Sequence, residues 1–346
     1  MIAQNNLARD TQYHEESSMS NPGNPDVTIV VCTFNRADSL KEALESLIEL
    51  QTDGFSYEVL VVNNASTDHT PDVVQEVATA ASCTVRSVKE PQAGVSFARN
   101  CGVKNALGEW IAFFDDDQLA EADWLVNLFN SAKEQDVQAV GGAVHLLLVG
   151  GDSHKRNLRP WIRVLFGCSD YMGSGYIYNR KNTPGTGNLL MHKDVFDQVG
   201  FFRTDLVEGG EDTELYHRMR RTGRRVFFCP TAIVHHQVPG FRLEPQYIKL
   251  ASMRMGNHIA RREFNDFSRL TFPLMIFARS VQAVGLYGGR LLLARLKGDK
   301  EEILERQSKW WLGQGYLRAA VRFLFFKEKA VSTLEFRSER KPASSA

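Results

Sequence analysis

Nothing in this chain is spaced for a cysteine-based metal or redox site. Its five cysteines (Cys32, Cys83, Cys101, Cys168 and Cys229) are odd in number, widely separated and free of any Cys-x-x-Cys pair. Reduced thiols are therefore expected, with neither a zinc cage nor a disulfide framework. A long apolar run is missing too: a membrane-spanning helix needs about 20 apolar residues, and Arg279 and Arg290 interrupt the best stretch. There is no internal repeat, no low-complexity block and no secretory-signal pattern at the start, where residues 1–26 are polar and expected to be disordered. Net charge is also absent, but only in sum. From Gly240 onward Lys and Arg number 20 against 10 Asp and Glu, leaving 21 against 31 before that point. An acidic front with a basic tail suggests a metal-using site beside an anionic partner, membrane or phosphorylated acceptor, rather than nucleic acid.

What is present is a soluble, globular composition, 43% hydrophobic and 24% charged over 346 residues, enough for one large domain with an appendage or for two domains. The front half alternates strand and helix patterns with short breaks, the signature of a parallel sheet covered by helices. Strands are expected over 27–33, 57–62, 84–88, 110–114 and 137–148. Asp38 or Ser39 is placed to cap a helix running to about 50, and Ser66-Thr67-Asp68 to cap the next, with Pro71 in its first turn. A third helix is expected over 95–107. Residues 150–182 are irregular and suited to covering an acceptor. Strands over 186–191 and 225–234 follow, with a helix over 213–222 ended by Gly223. Residues 244–329 read as helical. There Leu270, Leu274, Phe277, Val281, Val284, Gly288 and Leu292 recur at steps of three and four, opposite Arg279 and Arg290. Packing of that stripe on the domain is the default expectation, and a membrane interface the alternative.

Asp115-Asp116-Asp117 directly follows the apolar run 110–114. Three adjacent carboxylates at the mouth of a buried strand repel one another unless a cation or a hydrogen-bonded ligand neutralises them. Such a run at a strand's carboxyl end is suited to holding a divalent metal against a phosphorylated ligand. The plainer reading is an acidic loop that leads into a helix capped by Asp123 or Glu121. Polar Thr33, Asn35 and Arg36 follow the first strand at the same sheet edge, where open α/β sheets bind ligands. Glu211-Asp212 after two glycines either serves the dipole of the helix it opens or supplies a general base. His235 and His236 are neighbours on a strand, so at most one faces a site. Trp161, Trp310 and Trp311 are expected to pack rather than to stack on a sugar.

The order of several segments extends the reading. Val30-Val31-Cys32-Thr33-Phe34-Asn35-Arg36, Val61-Val62-Asn63-Asn64-Ala65-Ser66-Thr67-Asp68, Gly94 with Ala98-Arg99-Asn100, and Phe113-Phe114-Asp115-Asp116-Asp117 come first. Gly187-Asn188, Gly209-Gly210-Glu211-Asp212-Thr213-Glu214-Leu215 and His236 follow. Together they resemble the family 2 glycosyltransferases of GT-A fold, over roughly residues 27–240. The resemblance implies a Rossmann-like α/β fold: a mixed, mainly parallel sheet flanked by helices, with a C-terminal helical extension. It divides the chain into a nucleotide-binding half (27–117), an acceptor half (118–240), a basic extension (241–330) and a flexible tail (331–346).

It further implies an inverting transferase that moves a sugar from a nucleoside-diphosphate sugar to a hydroxyl of a glycan or lipid-linked acceptor. The setting would be cell-surface polysaccharide or glycolipid assembly, in the cytoplasm or peripheral on the cytoplasmic membrane face. By resemblance, Thr33, Asn35, Arg36, Asn63, Ser66, Gly94, Arg99, Asp115, Asp116, Gly187 and Asn188 bind the donor. Asp115, Asp117 and His236 would hold Mg²⁺ or Mn²⁺. Asp212 would be the general base, oriented by Glu211. Where the family usually has Asp, Asn63 stands, which leaves the base open among uridine, thymidine and guanosine. The Gln-x-x-Arg-Trp signature of the processive branch is missing, His217-Arg218-Met219-Arg220-Arg221 standing there instead. A sugar nucleotidyltransferase is the alternative, but Thr33 to Arg36 lacks the glycine of a phosphate loop. An inactive nucleotide-sugar-binding scaffold would have no need to keep Asp117 and Asp212.

Overall fold

Apolar side chains alternate along the early strands, and the two sets bury on opposite sides of one sheet. A computed structural model describes residues 23–150, 157–169, 173–179, 182–206, 209–266 and 270–325. Strand β1 (Val27–Thr33) sends Val27, Ile29 and Val31 to one core, with Val59 and Val61 of β2 (Tyr57–Asn63) and Ala112 and Phe114 of β4 (Trp110–Asp115). Val30, Leu60, Val62, Ile111 and Phe113 go to the other. This is the two-residue period of a strand buried on both faces.

Helices α1 (Ala37–Ile48), α2 (Thr70–Ala80) and α4 (Trp124–Glu134) cover the first core. Helices α3 (Val95–Asn105), α6 (Asp194–Val199) and α7 (Glu211–Arg221) cover the second. The remaining strands are β3 (Thr84–Lys89), β5 (Gln118–Ala120), β6 (Ala139–Val149), β7 (Tyr176–Ile177), β8 (Asn188–His192) and β9 (Phe227–Pro239). The sheet order is β3-β2-β1-β4-β8-β6-β9-β5, with β7 beside β9. Its first four members run parallel, and β8 enters antiparallel between β4 and β6. The carboxyl ends of β1, β2 and β4 therefore open on one edge, carrying Thr33, Asn63 and Asp115.

Several boundaries differ from the sequence reading. Neither Asp38 nor Ser39 caps α1. Instead Asp68 accepts from the Ala37 amide through one carboxylate oxygen (3.0 Å) and from Thr70 through the other, so one side chain serves the starts of both α1 and α2. Strand β9 runs past His235 and His236 to Pro239 because β6 continues pairing beside it. Of the expected N-terminal disorder, residues 1–22 lie outside the described residues, while Asp26 is tied to Ser56 in both directions. The tail 331–346 and parts of 150–182 also lie outside the described residues. The latter segment contributes α5 (Pro160–Leu165).

The helical region comprises α8 (Pro245–Asp266), α9 (Phe272–Val281), α10 (Gly289–Lys297) and α11 (Lys300–Phe325), with a π-helical stretch Gln282–Gly288 joining α9 to α10. Helices α8 and α11 touch backbone to backbone: a Cβ at Gly256 would lie 2.1 Å from the Leu312 carbonyl oxygen, and one at Gly315 2.2 Å from that of Met253. The default expectation for the apolar stripe is overturned. Arg279 faces inward, ion-paired at 2.5 Å with buried Glu263, which also accepts from the Tyr316 hydroxyl. Leu270, Leu274, Phe277, Val281, Val284 and Leu292 are exposed. Periodicity identifies two faces but not which is inside; a buried carboxylate waiting for a cation settled it. Trp161 and Trp311 pack together against an apolar cluster, as expected.

Candidate active site

The edge described above is built from turns that lock one another. After β1, Asn35 adopts a left-handed conformation (φ 52°); its amide donates to Ser66 Oγ and its Oδ1 accepts from the Thr67 amide at 2.7 Å. After β2, Asn63 Oδ1 accepts from the Ser66 amide at 2.8 Å, and the neighbouring Asn64 donates to the carbonyls of Glu90 and Gln92 while accepting from Gly94. Gly94 sits at φ 141° and opens α3, a conformation that disfavours any side chain. The polar residues at these turns thus fix a rigid rim first. Asn63 also carries an amide nitrogen, a donor that an Asp at this position would lack.

The aspartates point three ways. Asp116 is buried and pairs with Arg36 at 2.8 Å. Asp117 is buried where two guanidinium groups and an imidazole meet: Arg36 at 3.1 Å, Arg242 at 3.0 Å and His236 at 3.6 Å. Burial works to raise the Asp117 pKa, but His236, Arg36 and Arg242 outweigh it and hold the carboxyl well below the usual range. Asp115 keeps 44% of its side chain exposed and has Arg99 at 3.7 Å. His236 donates through Nδ1 to the Phe166 carbonyl (2.9 Å), which turns Nε2 toward Asp117 and Arg242. His235 points the other way, to Glu121.

Arg99 joins the two acidic clusters. Its guanidinium pairs with Glu211 as well as Asp115, and lies buried over Phe202. Gly209 (φ 103°) and Gly210 (φ 88°) turn the chain so that Glu211 and Asp212 open α7 at this point. Burial first, then the adjacent Glu211, push the Asp212 pKa up to about 6, against the pull of Arg99. One loop touches both clusters: a Cβ at Gly187 would meet Asp115 Oδ2 at 2.3 Å, and one at Gly185 would lie 4.0 Å from Asp212 Oδ2. Thr33 Oγ1, Gln118 Oε1 and Glu211 Oε2 are buried with no hydrogen-bond partner, which leaves polar capacity for a ligand.

The donor set suits a hard divalent cation. Asp115 and Asp117 offer carboxylate oxygens and His236 a ring nitrogen, while Arg36 and Arg242 stand as the counter-charges of Asp117 in this structure. Among the described residues no three His, Cys, Asp or Glu side chains form a ready-made cage. Mg²⁺ and Mn²⁺ held by one or two carboxylates and the phosphates of a ligand need none.

Two expected donor contacts are placed differently. Asn188 lies in the core: both its amide hydrogens go to the carbonyls of Ala143 and Ala232, and its oxygen accepts from Trp124. Asp116 is consumed by Arg36 beneath the crevice. Arg242 and Gln118 escaped sequence reasoning. Arg242 lies in the 3₁₀ turn Gly240–Leu243 beyond β9, and only its position six residues after His236 hinted at it.

Comparison with known proteins identifies the family. The model described as glycosyl transferase family 2 matches residues 28–201. The succinoglycan biosynthesis protein ExoM of Rhizobium meliloti is 28% identical over 236 residues, covering 66% of this chain and 72% of that protein. A glucosyl-dolichyl phosphate glucuronosyltransferase of Haloferax volcanii is 27% identical over 244 residues, covering 66% and 75%. The solved mannosyltransferase PcManGT of Pyrobaculum calidifontis, in complex with GDP-Man and Mn²⁺, superposes with a TM-score of 0.59 at 20% identity over 88% of each chain, a likeness of fold.

Proposed function

The chain belongs to glycosyl transferase family 2, and on that premise we propose that it moves one sugar from a nucleoside-diphosphate sugar to a hydroxyl of a glycan or lipid-linked acceptor, with inversion. Residues 27–240 form the catalytic unit in this reading, and residues 241–330 extend it. The observation that carries it is the Arg99 bridge, which brings Glu211 and Asp115 to one guanidinium although 96 positions separate them in sequence. A base on α7 then stands across a shared crevice from the donor aspartates.

The rim formed by Thr33, Asn35, Asn63 and Ser66 takes the nucleoside, with Gly94 fixing the floor. Asp115 and Asp117 face the diphosphate, and Arg36 and Arg242 supply positive charge beside it. Mg²⁺ or Mn²⁺, held by Asp115 and Asp117 with His236 alongside, would offset negative charge on the departing nucleoside diphosphate. Asp212 accepts the proton of the acceptor hydroxyl while that oxygen bonds to the anomeric carbon and the bond to the diphosphate breaks. A pKa near 6 keeps Asp212 ionised at neutral pH yet basic enough to take that proton. Arg99 holds Glu211, and Glu211 keeps the Asp212 pKa raised. Five cysteines without a disulfide support a reducing compartment, which in this reading is the cytoplasm.

Release of nucleoside diphosphate from a panel of UDP-, dTDP- and GDP-sugars, with and without Mn²⁺, tests the reading. Metal-stimulated turnover of one donor is expected. Pyrophosphate release from a nucleoside triphosphate and a sugar phosphate would instead identify a nucleotidyltransferase.

A further inference from the structure

Helices α9 and α10 turn an apolar face to solvent. Leu270 is 87% exposed, Leu274 68%, Phe277 71%, Val281 57%, Val284 63% and Leu296 78%. Phe272–Val281, the π-helical Gln282–Gly288 and Gly289–Lys297 follow without a break, and Leu274, Phe277, Val281 and Val284 recur along them at steps of three and four, so they share one face rather than standing singly. Its opposite face is already satisfied, with Phe272, Ala283, Leu291 and Ala294 buried. The end of α11, packed on Phe272 through Ala319 and Ala320, adds exposed Leu324 and Phe325.

Charge decides what covers this face. Residues 270–298 contain no Asp or Glu, whereas Arg290, Arg295 and Lys297 are exposed. A second copy on a two-fold axis would bring against this face the same segment, which carries cations and no carboxylate. Among the described residues no helix is long and apolar enough to cross a membrane. We propose that this face lies in the interfacial zone of an anionic lipid bilayer. The helix runs parallel to the surface, with Leu274, Phe277 and Val281 in the acyl boundary and Arg290, Arg295 and Lys297 at the headgroups.

The proposal goes beyond the reaction assigned above, and its test uses no turnover, so either can fail alone. The full chain is floated with phosphatidylcholine vesicles, with and without phosphatidylglycerol. Binding is expected to the anionic vesicles and to weaken as salt rises. Arg290→Gln with Arg295→Gln and Lys297→Gln weakens it on the order of 100-fold, and Leu274→Ser with Phe277→Ser by a similar factor. All five side chains are exposed, so both variants keep the wild-type melting transition, which circular dichroism checks. Flotation with neither vesicle type, or flotation unaffected by either variant, overturns the proposal. So does a wild-type dimer that Phe277→Ser converts to monomer.

Discussion

Replacing Asp212 by Asn separates chemistry from stability in opposite directions. Asn keeps the oxygen that accepts from the Thr213 amide at 2.6 Å, so the start of α7 is preserved. Burial, then Glu211, hold the folded-state pKa up at about 6, against 3.8 for an aspartate in water. A group whose pKa rises on folding binds its proton more tightly in the native state, so its charge opposes folding above pH 6. That cost fades as pH falls through 6 toward 3.8. A gap of about two units corresponds to roughly 3 kcal/mol at pH 7 and to less than about 1 kcal/mol at pH 4. Urea unfolding of wild type and Asp212→Asn at both pH values should show the variant more stable at pH 7, with the advantage shrinking in acid. Turnover of the active donor should fall by roughly 10²–10⁴ in the variant, while wild-type turnover declines tenfold per unit below pH 6. A variant that is less stable at pH 7, a gain that does not shrink in acid, or retained turnover would refute the assignment of a desolvated base.

Arg99→Met should cost about 3–5 kcal/mol in urea, because Glu211 is left buried without its counter-charge; a loss under 1 kcal/mol would mean that the bridge is dispensable. Gly187→Ala places a methyl against Asp115 Oδ2 and should weaken donor binding by calorimetry tenfold or more with the melting transition kept within a few degrees; unchanged binding removes Asp115 from the donor site. Asn63→Asp loses the only group at that position able to donate to a base, and donor preference in the nucleotide-sugar panel should shift or collapse. Arg242→Gln should lower the affinity for inorganic pyrophosphate with Mn²⁺ on the order of tenfold; wild-type affinity would show that Arg242 serves Asp117 alone.

The fold was legible where local pattern and tertiary role agree. Val27 to Thr33 alternates between two cores in the period that its side chains announce, and Asp115 follows an apolar strand as its sequence requires. Long-range partnerships were not legible. Asp68 caps two helices, one from 31 positions away, because the turns after β1 and β2 meet. Asn188 looked like a ligand residue, but its amide is needed to tie β6, β9 and Trp124 together in the core. Strand β5 is three residues long and has no periodicity to read; it exists because β9 offers an edge. Arg242 could not be assigned to Asp117, 125 positions earlier, without the turn that ends β9.

The change in composition near Gly240 suggests a place to cut the protein, yet the crevice does not end there. Arg242, just beyond that point, is one of the groups balancing Asp117. Further on, His258 of α8 presses on the turn that launches the base helix, its Cε1 2.9 Å from where a Gly209 Cβ would stand. Helix α8 in turn is clasped by α11 at Gly256 and Gly315 with no room for a methyl group. Residues beyond 240 therefore touch both acidic clusters, through Arg242 at Asp117 and through His258 at the turn before Asp212, and a fragment ending there would keep the carboxylates but lose both contacts.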